Sequence, residues 1–424
     1  MILGSLIQQL YTTADAVIVG QFAGKAGLAA IDSVHTLFKF PINCMNGLAA
    51  GATILISGYY GARDAKGLRC CVRTAYTLAV VLGAACAVLG VVFTPRLLDI
   101  MAVPGDIYPQ TLAYCRIYFG GIWAVVLYNM TAGILRAFGD SKRPLYVLIL
   151  SSLLNIGGDF LLVGAFRLGV QGAAAATVVS QAVSVVCTSR MLDQMEREDG
   201  RGHIWRLHFC GEHMGAMIKT GFPLALQSLL FPIANSIVQA SVNNMGTDNI
   251  AAWGICDKMN MLIWLIADAM GPALTTYTAQ NIGAGKYGRV KKGALLGTAM
   301  SAGAVCLVSV VLYFGAGVIG RWFISASDAR AIIPLVIRYT RLMAPFFWFY
   351  AIAEAFSGVC CGMGDTLKPM LTTMVTICLL RVVCIWLVLP RFQTMECIAG
   401  IYVASWIAAG LAFTGMYAWK QKHI

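Results

Sequence analysis

The chain has 424 residues, 59% of them hydrophobic and only 12% charged, with 31 Lys and Arg against 19 Asp and Glu. That balance excludes an ordinary soluble globular domain and a disordered chain, both of which need far more polar surface. The net charge of +12 would suit a polyanion, but apolar stretches of about 20 residues, long enough to cross a hydrocarbon core, recur along nearly the whole sequence. Strand alternation is missing, so a β-barrel is not expected.

Taken in chain order, the apolar segments give about twelve spans. They lie near 1–22, 31–58, 71–94, 107–136, 144–165, 169–191, 213–244, 250–281, 290–316, 332–361, 368–390 and 396–419. The first begins at Met1 without a preceding polar segment or signal peptide, so part of that helix is expected to be missing. Basic residues concentrate in alternate loops. Arg63, Lys66, Arg69 and Arg73 follow the second span, and Arg136, Lys142 and Arg143 the fourth. Arg190, Arg197, Arg201 and Arg206 follow the sixth, Lys286, Arg289, Lys291 and Lys292 the eighth, and Lys420 and Lys422 end the chain. Roughly eighteen basic residues on one side against about six on the other place both termini in the cytoplasm of an inner-membrane protein. The charge orients the chain, and no nucleic-acid partner is expected.

The 14 cysteines lie mainly in apolar spans, with adjacent pairs at Cys70–Cys71 and Cys360–Cys361 and no zinc-finger spacing. They read as small packing residues, not as a disulfide framework or a metal site. No G-x-x-x-x-G-K-[ST] run appears, so hydrolysis of ATP is not expected.

The sequence also repeats itself. A shift of 222 residues sets LAAIDSVHTL (28–37) against IAAWGICDKM (250–259), and GARDAKGLR (61–69) against GAGKYGRVK (283–291). A shift of 225 sets YCRIYFGGIW (114–123) against YTRLMAPFFW (339–348), and FGDSKRP (138–144) against MGDTLKP (363–369). With six spans per half, both halves enter the membrane from the same side. The expected fold is therefore all-α and polytopic, with two pseudo-symmetric six-helix lobes around a central cleft. The lobes are assigned to 1–190 and 213–424, joined by a solvated cytoplasmic linker over 191–212 with an interfacial part.

QQLYTTADAVIVGQFAG with ISGYYGARD, the RAFGDSKRP and CGMGDTLKP pair, and QNIGAGK, in that order, resemble the multidrug and toxic compound extrusion (MATE) family over essentially the whole chain. The proline that family often carries in the first helix has no counterpart here. The resemblance implies a secondary antiporter, not an enzyme, that works as a monomer in the lipid bilayer. It would export amphiphilic or cationic organic compounds by alternating access, without a cofactor, in exchange for protons or sodium.

Asn155 and Asp159 are spaced i, i+4 in an apolar span, where an ionisable group costs about 2.5–3.5 kcal/mol on insertion scales. Gly157 and Gly158 leave the backbone between them open to close packing. The first span carries Asp15, and the sixth carries Thr177 after the small run Ala173 to Ala176. Resemblance to the DinF-like branch implies that Asp15, Asn155, Asp159 and Thr177 converge as the cation site of the N-terminal lobe. Carboxylate, amide and hydroxyl oxygens suit sodium, and a close carboxylate pair also suits a shared proton. The plainer alternatives are a buried structural hydrogen bond for Asp159 and a bond from Thr177 back to its own helix.

By the repeat, Asp15 corresponds to Ile237 and Asp159 to Cys384, so the second lobe is not a copy. It offers Asp257, Lys258, Asp268, Glu354 and Arg381 instead. Asp268 and Glu354 are candidates for a second cation site, or for an internal ion-pair network with Arg381 or Lys258. Tyr11, Tyr114, Met261, Trp264 and Phe349 are candidates for a substrate cavity, or for packing. Two other functions fit a chain of this kind. A lipid-linked precursor flippase needs a cavity rich in Arg and Lys, whereas the mid-span set is mostly acidic. An intramembrane aspartyl enzyme would use Asp15 and Asp159 as acid and base, and no catalytic signature accompanies them.

Overall fold

Among the residues described by the computed structural model, 2–205, 207–325 and 327–422, the regular structure is helical throughout. Met1 and Arg206 lie outside them. The first half comprises α1 (Ile2–Phe22), α2 (Gly24–Ala62), α3 (Ala65–Ile100), α4 (Tyr108–Ala137), α5 (Lys142–Asp159) and α6 (Gly169–Glu198). Then come α7 (Gly211–Asn243), α8 (Thr247–Gly283), α9 (Tyr287–Gly320), α10 (Ala329–Met343), α11 (Phe347–Gly362), α12 (Leu367–Thr373), α13 (Leu380–Leu387), α14 (Leu389–Phe392) and α15 (Met395–Gln421). A 3-10 turn at Ala344–Phe346 joins α10 to α11, and a π-helical segment at Met374–Leu379 joins α12 to α13, so each pair forms one span. Among the described residues, eleven helical stretches are long and apolar enough to cross a membrane. α1 is long enough as well, with a rise of about 31 Å for its length, and it carries Gln8, Gln9, Thr12, Thr13 and Asp15 among its apolar residues.

The chain forms two compact units, Met1–Ala225 and Leu226–Ile424, and the division falls inside α7. Each has its own core. Val72, Ile134, Leu135, Leu192 and Met217 are buried together in the first unit. Phe347, Trp406, Phe413 and Tyr339 are buried together in the second. Large apolar side chains also point outward, as along α9 at Leu296, Met300, Leu307, Phe314 and Val318. In water such a surface would aggregate; in hydrocarbon it is the solvated face.

The repeat can be seen in single contacts. In the first unit, Thr53 of α2 bonds back to Ala49 O at 2.8 Å, and a Cβ placed on Gly133 of α4 would lie 2.8 Å from the Thr53 hydroxyl. The residues 222 and 225 positions later repeat this in the second unit. Thr275 of α8 bonds back to Gly271 O at 2.9 Å and also donates to Gly358 O of α11 at 2.9 Å. Here the approach is closer, because a Cβ on Gly358 would lie 2.3 Å from Gly271 O. Small residues let two backbones approach until dispersion and a hydroxyl bond hold them, which is how helices associate without a hydrophobic drive.

The turns of the repeat share a mechanism too. Gly139 and Gly364 both take left-handed φ values, 85° and 86°, that a side chain disfavours. The aspartate after each caps the next helix. Asp140 accepts from the backbone N–H groups of Lys142 and Arg143 at 3.0 Å, and Asp365 from that of Lys368 at 3.2 Å. These are capped turns, with their polar groups used internally.

The linker departs from a purely solvated strap. It folds back onto the first turns of α3. Arg69 and Arg73 donate to the carbonyls of Gly200 and Arg201, while Thr77 and Thr74 accept from the backbone N–H groups of His208 and Cys210. Ile204 and Arg201 are buried, and Arg201 pairs with Glu196 at 2.8 Å. The fold-back also corrects the reading of the cysteines as packing residues alone. Cys70 and Cys210 are joined as a disulfide with Cα atoms 6.3 Å apart.

Two stability measurements follow. Gly358→Ala should destabilise the chain in detergent by about 1–3 kcal/mol, because backbone must move to admit the methyl group. Gly133→Ala should cost less, since the atom it meets is a side-chain hydroxyl; equal losses on thermal unfolding would contradict the difference in packing.

The second concerns Asp365, which lies between spans and accepts from Lys420 Nζ at 3.0 Å. Burial alone would raise its carboxyl, but hydrogen bonds from Lys420 and the Lys368 backbone, with both ammonium charges, more than offset this and hold it below the ordinary Asp value. A folded pKa below the unfolded one contributes stability above the ordinary range of about 4, lost as pH falls through the depressed folded value. The stability gap between parent and Asp365→Asn should therefore be constant near neutrality and close on acidification. A gap that persists through that window would contradict the assignment.

Candidate functional site

The site in the first unit is built where α5 meets α6 and α1. Gly158 brings α5 against α6, since a Cβ there would lie 3.0 Å from that of Ala176. The small residues Ala173 to Ala176 allow this approach, which lets Asn155 Nδ2 donate to Thr177 Oγ1 at 3.3 Å. Thr177 in turn donates to Ala173 O at 3.0 Å, so its remaining lone pair faces away from its own helix ladder. One turn beyond Asn155 lies Asp159, fully buried at 0% exposure. Asp15 of α1 is its side-chain neighbour. The structure thus brings Asp15 to Asp159 and Asn155 to Thr177, with α5 linking the two pairs.

The hydrogen-bond accounting of this cluster does not close with protein atoms. Both carboxylate oxygens of Asp159, Oδ1 of Asp15 and Oδ1 of Asn155 are buried without a protein donor among the described residues. Two carboxylates that face each other are both acceptors, and no hydrogen lies between them unless one arrives from outside. An orphaned buried acceptor costs about 1–3 kcal/mol, and more when charged. The donor set, two carboxylates, an amide oxygen and a hydroxyl, is hard oxygen throughout. It fits a proton shared by the carboxylates or a sodium ion.

Aromatic rings border the pair. Tyr11 lies beside Asp15 and Asp159, and Tyr114 and Tyr118 lie beside Tyr11 and Asp15. Phe38 packs against Tyr118 and Tyr114 with ring centroids 4.2 Å and 5.7 Å away. Tyr118 was missed by the sequence reading, although it stands one helical turn from Tyr114.

Immediately after Asp159 the helix widens into a π segment, Phe160–Ala165. A second π segment, Met374–Leu379, ends two residues before Arg381. The two are not at equivalent places in the repeat, yet each adjoins a buried charged residue, Asp159 or Arg381. Apolar periodicity carries no mark of such a segment.

The second unit holds a different cluster. Tyr350 donates to Asp268 at 3.1 Å, and Glu354, one turn along α11 from Tyr350, lies close to both. Pro272 removes the N–H that would have bonded to the carbonyl of Asp268, four residues earlier, so acceptor capacity gathers there. Arg381, 2% exposed, donates to Ser405 Oγ at 2.9 Å and Asn235 Oδ1 at 3.1 Å and lies over the Tyr402 ring at 4.1 Å. The alternative of an ion-pair network is not what the structure contains. Neither Arg381 nor Lys258 pairs with a carboxylate among the described residues, and Lys258 and Asp257 are exposed. Asn235, Ser405 and Tyr402 are the partners that sequence reading missed. Of the other cavity candidates, Trp264 packs edge-on against Phe347 and Tyr350, and Phe349 stacks on Trp348. Met261 is 37% exposed.

Comparison with known proteins bears on this geometry. The chain is 27% identical over 438 residues to the "Probable multidrug resistance protein YoeA" of Bacillus subtilis, covering 100% of this chain and 93% of that protein. It is 27% identical over 299 residues to a protein of Shewanella oneidensis named "FAD transporter", covering 68% of this chain and 64% of that one. Among solved structures, a MOP superfamily transporter from Pyrococcus furiosus, described as having a binding pocket of reverse polarity, superposes with a TM-score of 0.89 at 22% identity. That match covers 100% of this chain and 94% of the other, and it shows a shared fold. The model of the family described as MatE matches residues 1–161 and 223–387, so both halves carry it. On that match the chain belongs to the MatE family, whose members are membrane transporters of the multidrug efflux class and not enzymes.

Proposed function

We propose that the protein is a secondary antiporter that exports amphiphilic or cationic organic compounds by alternating access, coupled to entry of protons or sodium at Asp15, Asn155, Asp159 and Thr177. The observation that carries this reading is Asp159: a fully buried carboxylate beside a second one, with neither oxygen given a donor among the described residues. A structural aspartate would be expected to have its acceptors filled by the bundle. A coupling residue must instead give up its partner in every cycle, so fixed donors would be a hindrance. The tyrosines around the pair supply ring faces suited to organic cations.

The same reading places the chain as a monomer of the DinF-like branch in the plasma membrane, with both termini cytoplasmic. The alternation of Lys- and Arg-rich loops supports that orientation.

A second reading of the substrate, as an organic anion, is favoured by one observation. Arg381 is a buried guanidinium compensated by a ring face, a hydroxyl and an amide oxygen, with no carboxylate paired to it among the described residues. The similarity to a protein named for FAD transport points the same way.

The test is transport in proteoliposomes under separately imposed proton and sodium gradients, with cationic dyes and a flavin nucleotide as substrates. Asp159→Asn should insert and fold as the parent does and lose gradient-driven export. Asp15→Asn should behave alike, because the two carboxyls titrate as one unit. Thr177→Val should weaken coupling more mildly, and Cys384→Ser, at the repeat-equivalent position, should leave it unchanged. Asp159→Asn protein exporting at the parental rate with the same gradient dependence would reduce Asp159 to a structural group. Flavin uptake lost in Arg381→Gln would favour the anion reading.

A further inference from the structure

We propose that Cys70, Cys210 and His213 form a binding site for one zinc-class cation when the two cysteines are reduced, and that this metal pins the linker to the start of α3. The three residues come from different elements: Cys70 from the second turn of α3, Cys210 from the end of the linker and His213 from the first turn of α7. One ligand atom from each lies within 4.8 Å of the others, and all three residues are half-buried. All belong to the first compact unit.

A disulfide alone leaves one member of this group unexplained. The Nε2 of His213 is buried with no hydrogen-bond partner among the described residues, and the imidazole is held in place by the Tyr59 ring at a centroid distance of 5.2 Å. An imidazole oriented by packing, with a buried unpartnered nitrogen and a ring nitrogen within 4.8 Å of two sulfurs, is suited to be a third metal ligand. The backbone carrying Cys210 is held to α3 by bonds other than the disulfide. The Cys210 N–H donates to Thr74 Oγ1 at 3.1 Å, and farther back in the linker Arg69 and Arg73 donate to the carbonyls of Gly200 and Arg201. Two thiolates and one imidazole, with water in the fourth position, match zinc in coordination number and softness.

The chemistry balances simply. Two monothiols deliver two electrons and two protons to the Cys70–Cys210 bond and become a disulfide themselves. The two cysteine thiols then release their protons to solvent as they take up one Zn²⁺. The cytoplasmic orientation proposed above supplies reducing conditions. The binding measurement itself depends on neither that orientation nor transport, so it can fail while they stand.

The full-length chain, purified in detergent, reduced with excess monothiol and freed of metal, is titrated with Zn²⁺ and, for its spectrum, Co²⁺. About one Zn²⁺ per chain is expected, with a thiolate-to-cobalt charge-transfer band for Co²⁺. Cys70→Ser and Cys210→Ser should abolish both, His213→Ala should weaken binding about tenfold or more, and Cys306→Ser, on α9, should change nothing. In the unmutated chain, Zn²⁺ should protect Cys70 and Cys210 from maleimide, mapped by mass spectrometry, which needs no variant to fold. Zinc binding that survives in the Cys70→Ser/Cys210→Ser chain, or maleimide labelling of these two cysteines indifferent to Zn²⁺, would overturn the proposal. So would an unmutated chain that binds no zinc after reduction. Unchanged affinity in His213→Ala would remove the imidazole from the site.

Discussion

A carboxylate buried among apolar helices, with no donor for either oxygen among the described residues, is the constraint on which the first unit turns. Burying a charge in a poorly polarisable medium costs several kcal/mol unless something compensates it. Around Asp159 the bundle provides geometry without compensation: Gly158 and the alanines of α6 bring the helices together, and Asn155 spends its amide hydrogen on Thr177. What remains is a set of oxygen acceptors. On the proposed reading a small cation or a proton completes that set and leaves it again in each cycle.

The second unit answers the same constraint with neutral partners. Arg381 is met by Ser405, Asn235 and the face of Tyr402, and Asp268 receives the hydroxyl of Tyr350. The duplicated scaffold is preserved where helices touch, at Thr53 and Gly133 and again at Thr275 and Gly358. It has diverged where polar groups face inward. Backbone contact and polar chemistry make different demands in this fold: the first constrains residue size and the second residue type, even where, as with Gly358 and Glu354 on α11, they share a helix face.

Much of this was legible in the sequence because membrane spans and repeats are one-dimensional signals. Apolar length gave the spans, and the matched GDSKRP and GDTLKP turns gave the duplication. The i, i+4 spacing of Asn155 and Asp159 put both on one face of α5. The rest depends on contacts between residues far apart in the chain. Nothing near Cys70 announces Cys210, and nothing near Arg381 announces Asn235, because their encounter is decided by how the linker and helices pack. The π segments were hidden for another reason. Leu, Val and Phe fill α and π turns alike, so neither composition nor period distinguishes Phe160–Ala165 from the helix before it.

Those π segments also bear on chain length. A π turn closes its hydrogen bond over one residue more than an α turn, so each holds a surplus residue relative to the helix it interrupts. Inserting or deleting a residue in the middle of an ordinary span rotates everything beyond it by about 100°, turning lipid-facing side chains inward. At Phe160–Ala165 and Met374–Leu379, removal of one residue would let the turn close as α-helix while both flanks keep their faces. Single-residue deletions, which a packed membrane helix otherwise cannot absorb, thus have two places among the described residues where the ladder can accommodate them, each next to a buried charge.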